Sequence, residues 1–334
     1  MTVVDAPNEV EDRAARDGAG GAAGNADAPE LGRASPNAGT LRTDRGPMFA
    51  LRAGSGPPVL FLHGVTAHAY VWDPVLRQLA DRFTVVAVDQ RGHGRTGTRD
   101  ADPTVDRTWD AASYAKDALS AARALDLGPV LVVGHSLGAR NALVAGSLDP
   151  IAVAGVVAID FTPFIEVGVF AALEARVSGG GDAVPDLGAA RAVLRRRYPN
   201  LPHDAIERRA ANGFRPDGTG WSPMADSRAM GATCRGLRAD LAGPLRSISV
   251  PTLLVRGENS TVVSRAAWHA TTALRPDIDA REVGAADHYV PEERPAVIAE
   301  LIASFASERA AWSGPDVNRG ARVRADGGAP WKSR

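Results

Sequence analysis

Ser136 lies in the run Gly134-His135-Ser136-Leu137-Gly138, directly after the apolar residues 130–133 and before a helix-like stretch to residue 148. A serine on a tight strand-to-helix turn needs glycines two residues to either side, because the turn brings neighbouring backbones too close for a side chain. The helix that follows aims its first N–H groups at the turn, where they favour a developing oxyanion. The competing reading is a glycine-rich turn with a serine that caps the helix. A serine hydroxyl is a weak nucleophile at neutral pH and needs a base within hydrogen-bond reach. Seven histidines are available. His288 falls in a loop bracketed by Gly284 and Pro291, whereas His203 and His269 fall in helical segments where a packed or solvated ring is the default. His135 adjoins the serine, but neighbours on a sharp turn point apart. His68 is a candidate for lining a pocket.

Strands and helices must alternate to hold such a turn. Residues 58–62, 83–88, 130–133, 153–159 and 252–255 are continuous apolar or β-branched runs, with 281–283 a sixth and weaker one. Runs of this kind are buried on both faces, and the segments between them, 73–79 and 114–125, carry helical spacing. The expected fold class is α/β, a mostly parallel doubly wound sheet. Residues 162–245 break the rhythm. They hold short helices at 189–198 and 204–211 and a turn cluster at 214–218, which predicts a helical cap above the strand ends. The expected layout is a leader over 1–45, a core over 46–161 and 246–312, the cap over 162–245, and a tail over 313–334.

The leader is free of aromatic residues and rich in Ala, Gly, Asp and Asn, so it is expected to be disordered. The tail, with Arg319, Arg322, Arg324, Lys332 and Arg334, reads as a solvated basic segment. The formal net charge is -1, which leaves no overall footprint for nucleic acid. A single cysteine, Cys234, excludes an internal disulfide framework and a cysteine-based zinc cluster. No apolar run is long enough to span a membrane, and no signal peptide is visible, so a cytoplasmic location is expected. No metal-ligand spacing or phosphate-cradling loop is present, so neither a metal nor a cofactor is expected; the glycines at 179–181 lack the Lys-Ser/Thr that would follow. The expected partner is a small molecule, with no nucleic acid and no membrane.

Five motifs occur in order: His63-Gly64, DQRGHGRT at 89–96, GHSLGA at 134–139, VRGENS at 255–260 and ADHYV at 286–290. Over about residues 47–307 the chain resembles the α/β-hydrolase family. The resemblance implies Ser136 as nucleophile, His288 as base, and the backbone N–H groups of Val65 and Leu137 as the oxyanion hole. His63 and His93 are then loop-shaping residues. The family commonly takes its acid from a G-x-x-D loop after the penultimate strand, and here the matching residue is Ser260. Three carboxylates compete for the role. Glu258 lies two residues earlier, and Asp287 is too close to His288 to orient its ring. Asp160 ends the 153–159 strand, and the combination I-D-x-x-P with a later serine resembles an esterase subgroup whose acid follows that strand. Asp160 is therefore the expected acid, and Ser260 is expected to add a hydrogen bond to His288.

This triad predicts hydrolysis of a small carboxylic ester, thioester or lactone through an acyl-enzyme. A serine at 136 argues against the epoxide hydrolases and dehalogenases of this fold, which use an Asp nucleophile. Carbon–carbon bond hydrolysis and cofactor-free haloperoxidase chemistry share the serine and stay open, as does a non-catalytic binding module of the same fold. Phe161, Phe164, Phe170, Trp221 and Met224 are candidates for an apolar pocket lining.

Overall fold

The computed structural model describes residues 35–97, 108–178, 181, 183–218, 220–238, 241–308 and 331–333. Strands β1 (Asn37–Thr43), β2 (Gly46–Ala53) and β3 (Pro58–Leu62) come first, followed by a short 3₁₀ turn at Ala69–Trp72 and helix α1 (Asp73–Leu79). Then come β4 (Thr84–Val88), α2 (Ala111–Ala124), β5 (Val130–His135), α3 (Leu137–Leu148) and β6 (Val153–Ile159). The next stretch holds α4 (Val167–Ser178), α5 (Leu187–Arg197), α6 (His203–Gly213), the short strands β7 (Phe214–Pro216) and β8 (Trp221–Pro223), α7 (Ser227–Gly236) and α8 (Ala242–Ser247). The described chain closes with β9 (Thr252–Gly257), α9 (Arg265–Leu274), β10 (Asp279–Val283), α10 (Val290–Glu293), α11 (Pro295–Glu308) and β11 (Trp331–Ser333).

Nine of these strands form one sheet in the order β10-β9-β6-β5-β3-β4-β2-β1-β11. Pairing is parallel from β10 through to β4 and antiparallel from β2 outward. The α/β class and the mostly parallel sheet agree with the expectation. The central strands are buried at every position because successive side chains serve opposite faces. Leu60, Leu62, Val86 and Val132 pack under α2, α3 and α8 on one face. Val59, Phe61, Val85 and Val133 pack under α1 and α11 on the other. Strand β10 carries Asp279, Arg281 and Glu282 and is half exposed, as suits a sheet edge that must not recruit another strand.

Several boundaries differ from the sequence reading. The leader was expected to run through residue 45, yet Asn37–Thr43 is strand β1, paired in full register with β2 and burying Leu41. Composition missed it because an edge strand held by backbone bonds needs only one core residue. The tail likewise supplies β11, whose Trp331 pairs with Leu41. Residues 1–34 and the basic residues Arg319, Arg322, Arg324 and Arg334 lie outside the described residues, and the side chain of Lys332 is not described. The turn expected at 214–218 begins instead as β7, paired with β8. The inserted segment ends before residue 245, because α8 packs on α3 and places Leu245 in the main core. Helices α5 and α6 bury Val184, Leu194, Tyr198 and Ile206 in a small core of their own.

Candidate active site

The parallel register sets the ends of three strands side by side. His135 on β5 lies opposite Ile159 on β6, and Ile159 lies opposite Val255 on β9. Ser136 immediately follows β5 and is bent to φ 53° and ψ -113°, a strained geometry held by its N–H on the Ile159 carbonyl at 2.8 Å. The flanking glycines have no room for a side chain. A Cβ on Gly134 would lie 2.1 Å from the Gly138 carbonyl oxygen, and one on Gly138 would lie 2.1 Å from that of Leu62. The Ser136 side chain makes no cap bond to α3, so the helix-capping reading fails.

Asp160 directly follows β6 in the left-handed region, at φ 51°, with its N–H on the Val255 carbonyl at 2.8 Å. Asp tolerates this conformation better than most residues. Its buried carboxylate accepts three hydrogen bonds. Gly257 N–H donates to Oδ1 at 2.9 Å, and Ser260 Oγ donates to Oδ2 at 2.6 Å. His288 Nδ1 lies 2.7 Å from the same Oδ2. With an ionised carboxylate, that contact requires the proton on Nδ1 and leaves the Nε2 lone pair free. Such an imidazole can accept a proton from a hydroxyl. Ser260 was expected to bond His288 and instead bonds Asp160, because Oδ2 lies between the two. Its Oγ also accepts from the Val263 N–H at 3.1 Å, which fixes the loop after β9. Glu258 turns away and accepts the Ala285 N–H at 2.8 Å. Asp287 bonds Asn200 at 3.2 Å and the Thr261 N–H at 3.3 Å. Of the three carboxylates, Asp160 is the one hydrogen-bonded to His288.

Ser136 and His288 both line one cavity of about 430 Å³, together with Gly64 and Val65 from the loop after β3. Leu137 is fully buried and opens α3, where N–H groups lack helical partners. Phe161 and Phe170 line the cavity, whereas Phe164, Trp221 and Met224 do not. The cavity also receives Arg176 from α4 and Arg197 from α5. Among the described residues neither cation pairs with a carboxylate. Arg209 of α6 reaches the same cavity but is already committed. Its Nε lies 2.9 Å from Glu292 of α10, and its guanidinium sits 4.6 Å and 5.2 Å from the ring centres of Tyr198 and Tyr289. That buried pair ties the inserted segment to the loop carrying His288.

His63 and His93 are hydrogen-bonded into the loops around them. His63 accepts the Gln90 N–H at 3.0 Å, and its pKa is driven well below the ordinary range by burial and by neighbouring His93. Burial lowers His93 to about 4, and its Nδ1 bonds the Arg91 carbonyl at 2.8 Å. His68 lines a small adjoining cavity shared with Arg176 and Arg209, not the one holding Ser136. Burial, then the Arg209 charge, lowers its pKa to about 3. His135 does more than its place in the sequence suggests. Its ring lines the main cavity, and its Nε2 donates to the His288 carbonyl at 2.7 Å. Burial and the adjoining His288 hold it neutral, well below the ordinary pKa. Among the described residues no three His, Cys, Asp or Glu side chains group as metal ligands. No helix among them is long and apolar enough to cross a membrane.

The family model described as "Alpha/beta hydrolase family" matches residues 59–301. The chain belongs to that family. It is 46% identical, over 75% of its length and 88% of the relative's, to 2-(acetamidomethylene)succinate hydrolase of Mesorhizobium japonicum. A solved structure of E-2-(acetamidomethylene)succinate hydrolase superposes with a TM-score of 0.77 at 43% identity, covering 81% of this chain and 99% of that one. The pimeloyl-[acyl-carrier protein] methyl ester esterase of Methylococcus capsulatus is 30% identical over 77% of this chain and 99% of its own. These relatives make the present chain a hydrolase. Sequence reasoning passed over Arg176, Arg197 and the Arg209–Glu292 pair. Arginines at helix ends read as solvated surface, and no local signal joins residues 83 positions apart.

Proposed function

We propose that the protein is a serine hydrolase that removes an acyl group from a small dicarboxylate, by way of an acyl-enzyme. The observation that carries this reading is the 2.7 Å contact between His288 Nδ1 and Asp160, with His288 and Ser136 on the wall of one cavity. In this reading Ser136 Oγ attacks the acyl carbonyl while His288 Nε2 takes its proton. The Val65 and Leu137 N–H groups stabilise the resulting oxyanion, and Asp160 stabilises the imidazolium. His288 then returns the proton to the departing nitrogen or oxygen, and water repeats the sequence on the acyl-enzyme.

Two observations support the anionic substrate. Arg176 and Arg197 enter the cavity without carboxylate partners among the described residues, and guanidinium groups suit carboxylate recognition. The compound for which the Mesorhizobium relative is named carries two carboxylates and an acetamide. The scissile bond in this reading is an amide or ester of such a compound. The test compares purified protein on 2-(acetamidomethylene)succinate, a neutral phenyl acetate and a β-diketone. The first is expected to give the highest kcat/KM, and Ser136→Ala is expected to lose on the order of 10³–10⁶ in rate with an unchanged circular dichroism spectrum. Retained turnover in Ser136→Ala overturns the nucleophile. Preference for the neutral ester overturns the dicarboxylate, and preference for the diketone moves the reaction to carbon–carbon bond hydrolysis.

A further inference from the structure

The cavity has two chemically different sides. Phe161, Ile165, Val169, Phe170, Leu173 and Leu237 form one wall. They belong to, or pack against, the same apolar cluster as Val65 of the loop after β3. Arg197, Tyr198, Arg209 and Asn200 form the other, next to the separate small core of α5 and α6. Helix α4 contributes residues of both kinds. Val169, Leu173 and Arg176 follow at helical spacing, so its cavity face is apolar for two turns and then cationic. From Val169 to Arg176 the helix advances about 10 Å.

The volume exceeds what an acetylated dicarboxylate needs. A compound such as 2-(acetamidomethylene)succinate has about 13 non-hydrogen atoms, while clefts of about 300–1,000 Å³ hold drug-sized ligands. The cavity here is about 430 Å³. With carboxylates held at the arginine side, the acetyl methyl of that compound leaves most of the apolar wall uncovered. Four of the wall residues, Phe161, Ile165, Phe170 and Leu237, are nevertheless less than a tenth exposed. They are packed against their neighbours, and each presents a small apolar area to the cavity.

We infer that this wall is an acyl-chain subsite and that the protein prefers a medium-length apolar acyl group, butyryl to octanoyl, over acetyl. The inference rests on the proposed acyl transfer and assigns the acyl side of that site. Each further methylene that leaves water is worth about fourfold in kcat/KM until the space is filled. The chemistry at Ser136 is unchanged. The acyl carbon bonds to Oγ, the dicarboxylate leaves with the proton from His288, and water later releases the fatty acid.

The test uses full-length protein and two matched series, acetyl, butyryl, hexanoyl and octanoyl. One is built on the aminomethylene-succinate leaving group and the other on p-nitrophenol. The expected result is a rise in kcat/KM of at least tenfold from acetyl to hexanoyl in the first series. Turnover of the acetyl dicarboxylate with a flat or falling profile in both series overturns the subsite and leaves the proposed function standing. A rising profile on the p-nitrophenyl esters, with no turnover of any dicarboxylate, keeps the subsite and overturns the dicarboxylate. Absence of turnover in both series overturns both. Leu173→Trp fills the space from α4 and is expected to reduce the hexanoyl-to-acetyl ratio at least tenfold. Val169→Trp, at a half-buried position on the same face, serves if the first variant fails to fold. An unchanged ratio in a folded variant overturns the placement.

Discussion

Replacing Asp160 by asparagine separates the proposed acid from its rivals, and the structure sets the size of the effect. The carboxylate receives the Gly257 N–H on Oδ1, and the Ser260 hydroxyl and His288 Nδ1 on Oδ2. An asparagine amide has one acceptor and one donor end, so it satisfies only one side. With its oxygen toward Gly257, its NH₂ group faces His288 and favours the tautomer protonated on Nε2, which cannot take a proton from Ser136. With its oxygen toward His288, its NH₂ group opposes the Gly257 N–H, a buried donor left without an acceptor. In both orientations the charge that stabilises an imidazolium is gone. A loss of about 10³–10⁴ in kcat is expected. Asparagine also tolerates the left-handed backbone at this position, so the fold should survive. Glu258→Gln keeps an oxygen for the Ala285 N–H and should change kcat by less than about threefold, within the usual half kcal/mol of a surface substitution. Ser260→Ala removes one donor to a charged group and frees the carboxylate to turn. About tenfold is expected, since such a bond is worth roughly 1.5–3 kcal/mol and two other donors remain. The assay is steady-state kcat on one soluble substrate, with folding checked by circular dichroism. A near-normal Asp160→Asn beside a collapsed Glu258→Gln would refute the assignment.

Three further outcomes are expected. A chain beginning at residue 46 loses β1 and the burial of Leu41, worth about 1.5–3 kcal/mol, and should melt several degrees lower than one beginning at residue 35; equal melting temperatures would show that β1 adds nothing. Arg209→Met leaves Glu292 buried and unpaired and should destabilise by about 3–5 kcal/mol in urea, whereas Arg209→Met with Glu292→Met should recover most of that; additive losses would refute the pairing. The unfolded chain binds a proton at His68 below pH about 6.5, but the folded chain does so only near pH 3, so stability present above pH 6.5 is lost as the pH falls through that window. At pH 4.5 the loss from this one group is about 2–3 kcal/mol, and His68→Gln should remove it from the pH dependence; an identical pH slope in the variant would count against a neutral buried ring.

The parts legible in the sequence are those fixed by short-range constraints. Strands β3, β4 and β5 announce themselves as unbroken apolar runs because both their faces are covered. Ser136 is legible because two glycines at fixed spacing have a steric purpose, confirmed by the 2.1 Å approaches a Cβ would make. Asp160 could be nominated because a residue that follows a central parallel strand must emerge beside the end of the neighbouring strand, where Ser136 stands. What the sequence withheld depends on which atoms meet across the fold. Ser260 looked like a partner for His288 because it stands where a carboxylate often does, yet a hydroxyl is too short to replace one. It instead donates to the carboxylate supplied by another strand.

The same distinction explains the histidine loop. Nothing local to His135 tells that its ring holds the His288 carbonyl, because the two are 153 residues apart in the chain. Nor does either sequence neighbourhood disclose that Arg209 and Glu292 meet between two tyrosines. Together these contacts fasten the loop from two directions. His135 anchors it to the strand that leads into Ser136, and Arg209 anchors it to the inserted helices that line the cavity. Asp160 then fixes the ring itself. An imidazole restrained at its backbone, its ring nitrogen and its adjoining tyrosine has little freedom left, and such preorganisation is what the proposed proton transfer at Ser136 requires. If His288 is the base, as proposed, substitutions in the inserted helices that disturb the Arg209–Glu292 pair should alter kcat as well as KM.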